Sequence, residues 1–292
     1  MIFLNGRFMP IEEARVPVLD RGFIFGDGVY ELVPVYSRAP FRLDEHLARL
    51  ERSLAAVRIR NPYSRAEWRD IILRLVALQP FEDQGVYFQV TRGVAKRDHA
   101  FPKDVAPTVF VMANPLVNPP AEQVERGAAA VTAVDNRWLR CDIKSISLVG
   151  NVLLRQHSAD VGAVETILFR DRKLTEASAS NVFVAKRGAL LSPPKSNLIL
   201  PGITYDVVVE IAQSAGIPLE LRDVTEDEVR AADEIFVSSS SKEVLAIVQL
   251  DGRPVGEGRP GPVFRRVHQL YQDFKRDVMR AGARKEKAVS AA

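Results

Sequence analysis

The sequence predicts an α+β protein of two domains, and three observations predict it. Runs that alternate apolar and polar residues, such as 86–91 (VYFQVT), read as strands with one buried face. Other stretches open with capping residues and carry apolar side chains at helical spacing. A proline-rich break at 114–120 (NPLVNPP) divides the 292 residues near residue 117.

In chain order, Ile2 to Leu4 and Arg7 to Met9 flank Asn5-Gly6, a dipeptide suited to the positive φ angles of a tight hairpin turn. Residues 29–36 (VYELVPVY) form a second strand, in which Pro34 requires an edge or a bulge because it has no N–H to donate. Asp44 is expected to cap a helix striped by Leu47, Leu50, Leu54 and Val57. Ser64 and Glu67 form a capping box before a helix carrying Trp68, Ile71, Ile72 and Leu75. Strands follow at 86–91 and 108–113. Beyond the break, strands are expected at 128–134, 163–170, 181–185, 234–238 and 244–250. Helices are expected near 148–161, at 204–215 and after the Thr225/Glu228 box. A terminal helix is striped by Phe264, Val267, Leu270, Tyr271, Phe274 and Val278. The expected division is therefore an α+β domain over 1–116, a linker over 117–124, an α+β domain over 125–282 and a disordered tail over 283–292.

Composition narrows the function classes. An apolar fraction of 47% beside a charged fraction of 26% is that of a globular protein. The net charge is only +3, and basic residues are scattered except at 284–287, which reads as a solvated terminus, so no nucleic-acid partner is expected. One cysteine, Cys141, excludes an intrachain disulfide. The N-terminus lacks the pattern of a signal peptide, and no apolar run approaches the roughly 18 residues that span a bilayer. A cytoplasmic location, without membrane contact, is the expectation. The four histidines lack metal-ligand spacing, so no metal is expected. Phosphate-binding and serine-hydrolase motifs are missing.

A set of stretches then acquires meaning together: DRGFIFGDGVYE (20–31), VYFQVTRG (86–93), RDHAFP (97–102), RWLRCDIKS (137–145), LTEASASNVF (174–183), LPGIT (200–204) and FVSSSS (236–241). In order and spacing they resemble the fold-type IV pyridoxal 5'-phosphate (PLP) enzymes, and within them the bacterial D-amino-acid aminotransferases. The resemblance covers nearly the whole chain. It implies the two-domain fold-type IV architecture, PLP as cofactor, and amino-group transfer from a D-amino acid such as D-alanine to a 2-oxo acid such as 2-oxoglutarate, in two half-reactions.

The same resemblance assigns roles to particular residues. A lysine beside polar neighbours is ordinarily solvated, but Lys144 matches the lysine that carries the cofactor, a role that needs a protected, neutral amine. Glu176 matches the carboxylate that keeps the pyridine nitrogen protonated. Alone it would read as an exposed turn residue. Ile203 and Thr204 open a predicted helix, whose free N–H groups suit an anion, and match the family's phosphate site. Ser240 matches a further phosphate contact, as does Arg49, although periodicity alone would leave Arg49 exposed, opposite the leucine stripe. Arg97 and His99 match a loop that grips the substrate α-carboxylate from a partner subunit, helped by Tyr30 from the same chain. Arginine's planar fork suits that task. A homodimer follows from this arrangement. Glu31 is a weaker candidate, for tuning the surroundings of the lysine.

Departures fall at Tyr205, where many relatives carry arginine, at Ala179 in place of a serine, and at Asp98, which sets a negative charge between the two carboxylate binders. Other fold-type IV activities remain alternatives: a branched-chain L-aminotransferase, an amine transaminase or aminodeoxychorismate lyase. A non-catalytic binding protein is the remote one.

Overall fold

The computed structural model describes residues 1–280, so the tail expected at 283–292 lies outside the described residues. The chain forms two compact units. The first comprises Met1–Leu116, the segment Ile143–Leu148 and the chain from Val278, and the second comprises Val117–Asp142 and Val149–Asp277. The short segment that holds Lys144 thus belongs with the N-terminal residues, although the chain around it does not.

In the first unit the strands are β1 (Ile2–Leu4), β2 (Arg7–Met9), β3 (Gly28–Tyr36), β4 (Ala39–Pro40), β5 (Gln84–Thr91) and β6 (Thr108–Pro115). They pair antiparallel in the order β2-β1-β6-β5-β3-β4. The β1–β2 hairpin turns on Asn5 (φ 45°) and Gly6 (φ 88°), the conformation that favours this dipeptide. Pro34 sits where the outer neighbour β4 pairs only with Val35 and Tyr36, so its missing N–H disturbs little. Helices α1 (Arg21–Phe25), α2 (Leu43–Ala56) and α3 (Arg65–Ala77) complete the unit, and the leucines of α2 pack with Trp68, Ile72 and Leu75 of α3 on the sheet's inner face.

Strand parity decides what the inner face contains. Val29, Val33 and Val35 of β3 point into the core, and Glu31 shares their parity and is fully buried. Facing it, α2 buries a polar seam beside its leucines, His46, Arg49 and Ser53. The expectation of an exposed Arg49 therefore fails, because the stripe that α2 buries is wider than its apolar residues. Asp44 is also displaced. Arg42 in a left-handed conformation occupies the N-cap and Asp44 lies in the first turn, where its charge still suits the helix dipole.

The second unit comprises α4 (Ala121–Arg126), β7 (Ala128–Val134), α5 (Val149–Ala159), β8 (Glu165–Arg170), β9 (Lys173–Ala177), β10 (Asn181–Lys186), β11 (Ala189–Ser192), α6 (Ile203–Ser214), β12 (Leu219–Leu221), α7 (Glu226–Arg230), β13 (Glu234–Ser239), β14 (Glu243–Leu250), β15 (Arg253–Pro254) and α8 (Pro262–Phe274). Its strands run β12-β11-β10-β13-β14-β7-β8-β9, with β15 on β14. Stacked rings of Phe183, Phe236 and Tyr205 join sheet and helix. Strands β9 and β11 escaped the sequence reading because each is short and lacks a clean two-residue period, and β12 because its alternation runs for only three residues. The terminal stripe slips by one residue. A π-helical turn over Lys275–Met279 turns Val278 outward and buries Met279 instead.

Among the described residues, no helix is long and apolar enough to cross a membrane.

Candidate active site

Lys144 lies in an irregular segment rather than a strand, yet its backbone is held from two directions. Tyr30 N–H donates to the Lys144 carbonyl at 2.9 Å, and the Lys144 N–H donates to Ser53 Oγ at 3.2 Å. Ile146 N–H donates to Gly28 O, and Ser145 bridges Val29. These bonds fix where the side chain starts. Its Nζ stands 4.2 Å from the centre of the Tyr30 ring, and the residue is half-buried. Lys144 and Tyr30 are thus brought together.

Below them lies a charged cluster. Glu31 Oε1 accepts from Arg49 Nε at 2.7 Å, and Oε2 accepts from Arg49 Nη2 at 2.8 Å and from His46 Nδ1 at 2.8 Å. Burial pushes the Glu31 carboxyl up, but Arg49 and His46 pull it down further, so it lies well below the usual range. Burial pushes His46 down, against the pull of Glu31, and its Nε2 is buried with no hydrogen-bond partner. A carboxyl depressed in the folded state adds stability above its unfolded pKa of about 4.3 and loses it as pH falls. Glu31→Gln should therefore cost about 3 kcal/mol at pH 7, since Arg49 is left buried without its counter-charge. Urea unfolding should show the difference from the parent shrinking as pH drops below about 4.

Arg97 and His99 lie on an exposed loop after β5. Both flank the Phe25 ring, the Arg97 guanidinium carbon at 5.3 Å from its centroid and the His99 ring at 5.4 Å. Asp98, whose charge lies between them in sequence, accepts at Oδ1 from the Ala100 N–H at 3.1 Å, within its own turn.

In the second unit Glu176 sits on β9, 5% exposed, not on an exposed turn. Arg137 Nη1 donates to it at 2.7 Å, Leu200 N–H at 2.9 Å and Asn181 Nδ2 at 3.4 Å. Arg137 is itself clamped by Asp135, which also accepts from Thr175 Oγ1. Burial raises Glu176 and Arg137 pulls against it, leaving the carboxyl at about 7. Desolvation thus outweighs the pull of the one arginine beside it.

Beyond Leu200 the chain enters α6 through Gly202, an N-cap with no side-chain cap. A Cβ at Gly202 would collide with Asn181 Oδ1, so glycine lets the helix N-terminus come up to β10. The N–H groups of Ile203 and Thr204 belong to that first turn, whose N–H groups have no partner within the helix. Across the sheet Asn181 pairs in register with Ser238, whose Oγ is buried without a partner. Ser240 lies half-buried in the turn that follows. The turn between β9 and β10 is tied from beneath by Glu165, which is fully buried and accepts from Ser178, Ser180 and Lys242. Exposed Ala179 takes no part in that tie. Tyr205 is a core residue, its hydroxyl on Pro193 O at 3.0 Å.

Sequence reasoning passed over Arg137, Asn181, Glu165, His46 and Ser53. The first two stand inside quoted stretches. For His46, Arg49 and Ser53, the signal was polar residues at helical spacing facing a glutamate of core parity.

These features fit PLP: a buried, firmly held carboxylate suits a protonated ring, and a helix start with no side-chain cap suits a phosphate. The comparisons with known proteins agree. The family model described as amino-transferase class IV matches residues 28–250. A D-alanine aminotransferase of Bacillus licheniformis is 41% identical over 272 residues, covering 93% of this chain and 96% of that protein. One from Listeria monocytogenes is 40% identical over 282 residues, 96% of each chain. Among solved structures, the Escherichia coli branched-chain amino acid aminotransferase superposes with a TM-score of 0.87 at 26% identity over 93% of each chain. The branched-chain amino acid aminotransferase of Thermoproteus uzoniensis with norvaline gives 0.83 at 27% identity, over 94% of this chain and 93% of that one. Another branched-chain amino acid aminotransferase, solved with pyridoxamine 5'-phosphate, gives 0.87 at 27% identity over 96% of each.

Proposed function

This chain belongs to the class IV aminotransferases, and from that premise we propose that it is a PLP-dependent D-amino-acid transaminase of the two-domain fold-type IV architecture. PLP, when bound, supplies the electron sink that accepts the pair left as the substrate Cα–H bond breaks. Every other task falls to the chain. Lys144 would hold the cofactor through its amine, and the same amine would serve as the base that moves the substrate Cα proton. Glu176 keeps the ring nitrogen protonated, with Arg137 holding that carboxylate in place. The amides of Ile203 and Thr204, the Thr204 hydroxyl, Ser240 and Arg49 take the phosphate. Arg97, His99 and Tyr30 take the α-carboxylate, the loop residues acting in the site of a second copy within a homodimer.

The observation that carries this reading is Glu176, a buried carboxylate on β9 held by Arg137, the Leu200 N–H and Asn181. The substrate hand comes from the relatives, which at about 40% identity are D-alanine aminotransferases. Assaying D- against L-alanine with 2-oxoglutarate tests it, and a clear preference for L would overturn it. The branched-chain structures at 26–27% identity make L-leucine the control donor.

Arg97→Ala should raise the KM for D-alanine by about 10- to 100-fold and lower kcat less, because the lost bonds form already in the bound ground state. Titration of the apoenzyme with PLP should be unaltered.

A further inference from the structure

We propose that Arg21 is a positioning residue for amino-acid binding, holding the Arg97–His99 loop in the shape that receives a carboxylate. The inference rests on the reading that this loop binds the substrate carboxylate, and deepens it.

The loop offers little to hold itself. Residues 96–103 form no regular element, and Arg97, Asp98 and His99 are all exposed. Ordering such a backbone costs conformational entropy, which is subtracted from binding unless the loop is ordered beforehand. Arg21 supplies that order. It is buried at 4% exposure in α1, and its Nη1 donates to the carbonyls of Asp98 at 2.5 Å and Ala100 at 3.5 Å. Both carbonyls lie within the turn that carries His99.

The arginine is anchored from behind. Its Nε donates to Asp27 Oδ2 at 2.7 Å, and Asp27 also accepts from Arg92 Nε at 2.7 Å and Nη2 at 3.0 Å. Arg92 in turn donates to the carbonyls of Val57 at 2.8 Å and Arg58 at 3.0 Å. Helix α1 is fixed to the end of β5, since Asp20 accepts from Gly22 N–H and Thr91 Oγ1, and Arg21 N–H donates to Gly93 O. The same helix presents Phe25, whose ring packs against Arg21, Arg97 and His99. One short helix thus holds the loop's backbone through Arg21 and its two binding side chains through Phe25.

Guanidinium geometry makes arginine necessary here. Its fork reaches a carboxylate on one side and two carbonyls on another, whereas an ammonium on a flexible stem holds one direction at a time. If the pairing with Asp27 served the fold alone, a change at Arg21 would lower stability without separating KM from kcat.

The test compares Arg21→Ala, Arg97→Ala and the double variant as PLP-loaded enzymes, measuring kcat and KM for D-alanine. Arg21→Ala should raise KM about tenfold or more with kcat changed much less, and should add little on top of Arg97→Ala. Should Arg21→Ala fail to fold, Arg21→Lys keeps the charge opposite Asp27 and should give the same split. A parental KM in the Arg21 variants beside a raised KM in Arg97→Ala overturns the proposal and leaves the carboxylate reading standing. A parental KM in Arg97→Ala overturns that reading itself. Additive increases in the double variant, or a fall in kcat alone, also count against Arg21.

Discussion

Lys144→Ala should fold and take up PLP, yet turn over D-alanine at least about 10⁴-fold more slowly than the parent. The size of the loss follows if, as proposed, one amine serves twice, as the group that holds the cofactor and as the base that moves the Cα proton. The survival of the fold follows from how position 144 is held. Its N–H and C=O bind Ser53 and Tyr30 through the backbone, which alanine keeps. The side chain is half-buried, so its truncation leaves no closed cavity in the core. Circular dichroism should match the parent, PLP should still enter but bind more weakly for want of the covalent link, and single-turnover rates should collapse. Transamination near the parental rate would mean that another lysine does the work. Borohydride reduction of the parent followed by peptide mapping gives an independent answer, because the pyridoxyl label should sit on Lys144.

How much of this was legible before the structure depends on which physical rule governed each residue. Hairpin, capping boxes and alternating strands are local features, and they stand where the sequence places them: Asn5-Gly6 turns, Ser64 and Thr225 cap, and 86–91 alternates. Residues set by tertiary partners were harder. Arg49 reads as exposed because helical periodicity weighs only apolar residues, while its burial depends on a glutamate from a strand 18 residues earlier. Glu176 reads as a turn residue because β9 is a five-residue strand without alternation. Met279 replaces Val278 because a π-turn shifts the stripe by one, and no residue in it announces the shift. Tyr205 and Asp98 stand out in the sequence by position alone, which does not tell where they point. One points into the core and the other back to its own loop.

The loop's expected service to a second copy leads to the other large effect. Lys144→Ala chains keep Arg97, and Arg97→Ala chains keep Lys144, so a mixed dimer restores one complete site if the loop acts across the subunits. At a D-alanine concentration below the parental KM both pure variants are slow. After the two are dissociated together and reassembled, random pairing leaves about half of the dimers mixed and activity should climb to about a quarter of the parent's. Beside the start of the loop, Leu19, whose carbonyl accepts from Ala95 N–H, is exposed, as is its neighbour Val18. A loop serving its own chain predicts the opposite outcome. Neither variant could then complete the other, and the mixture would run no faster than the sum of its parts.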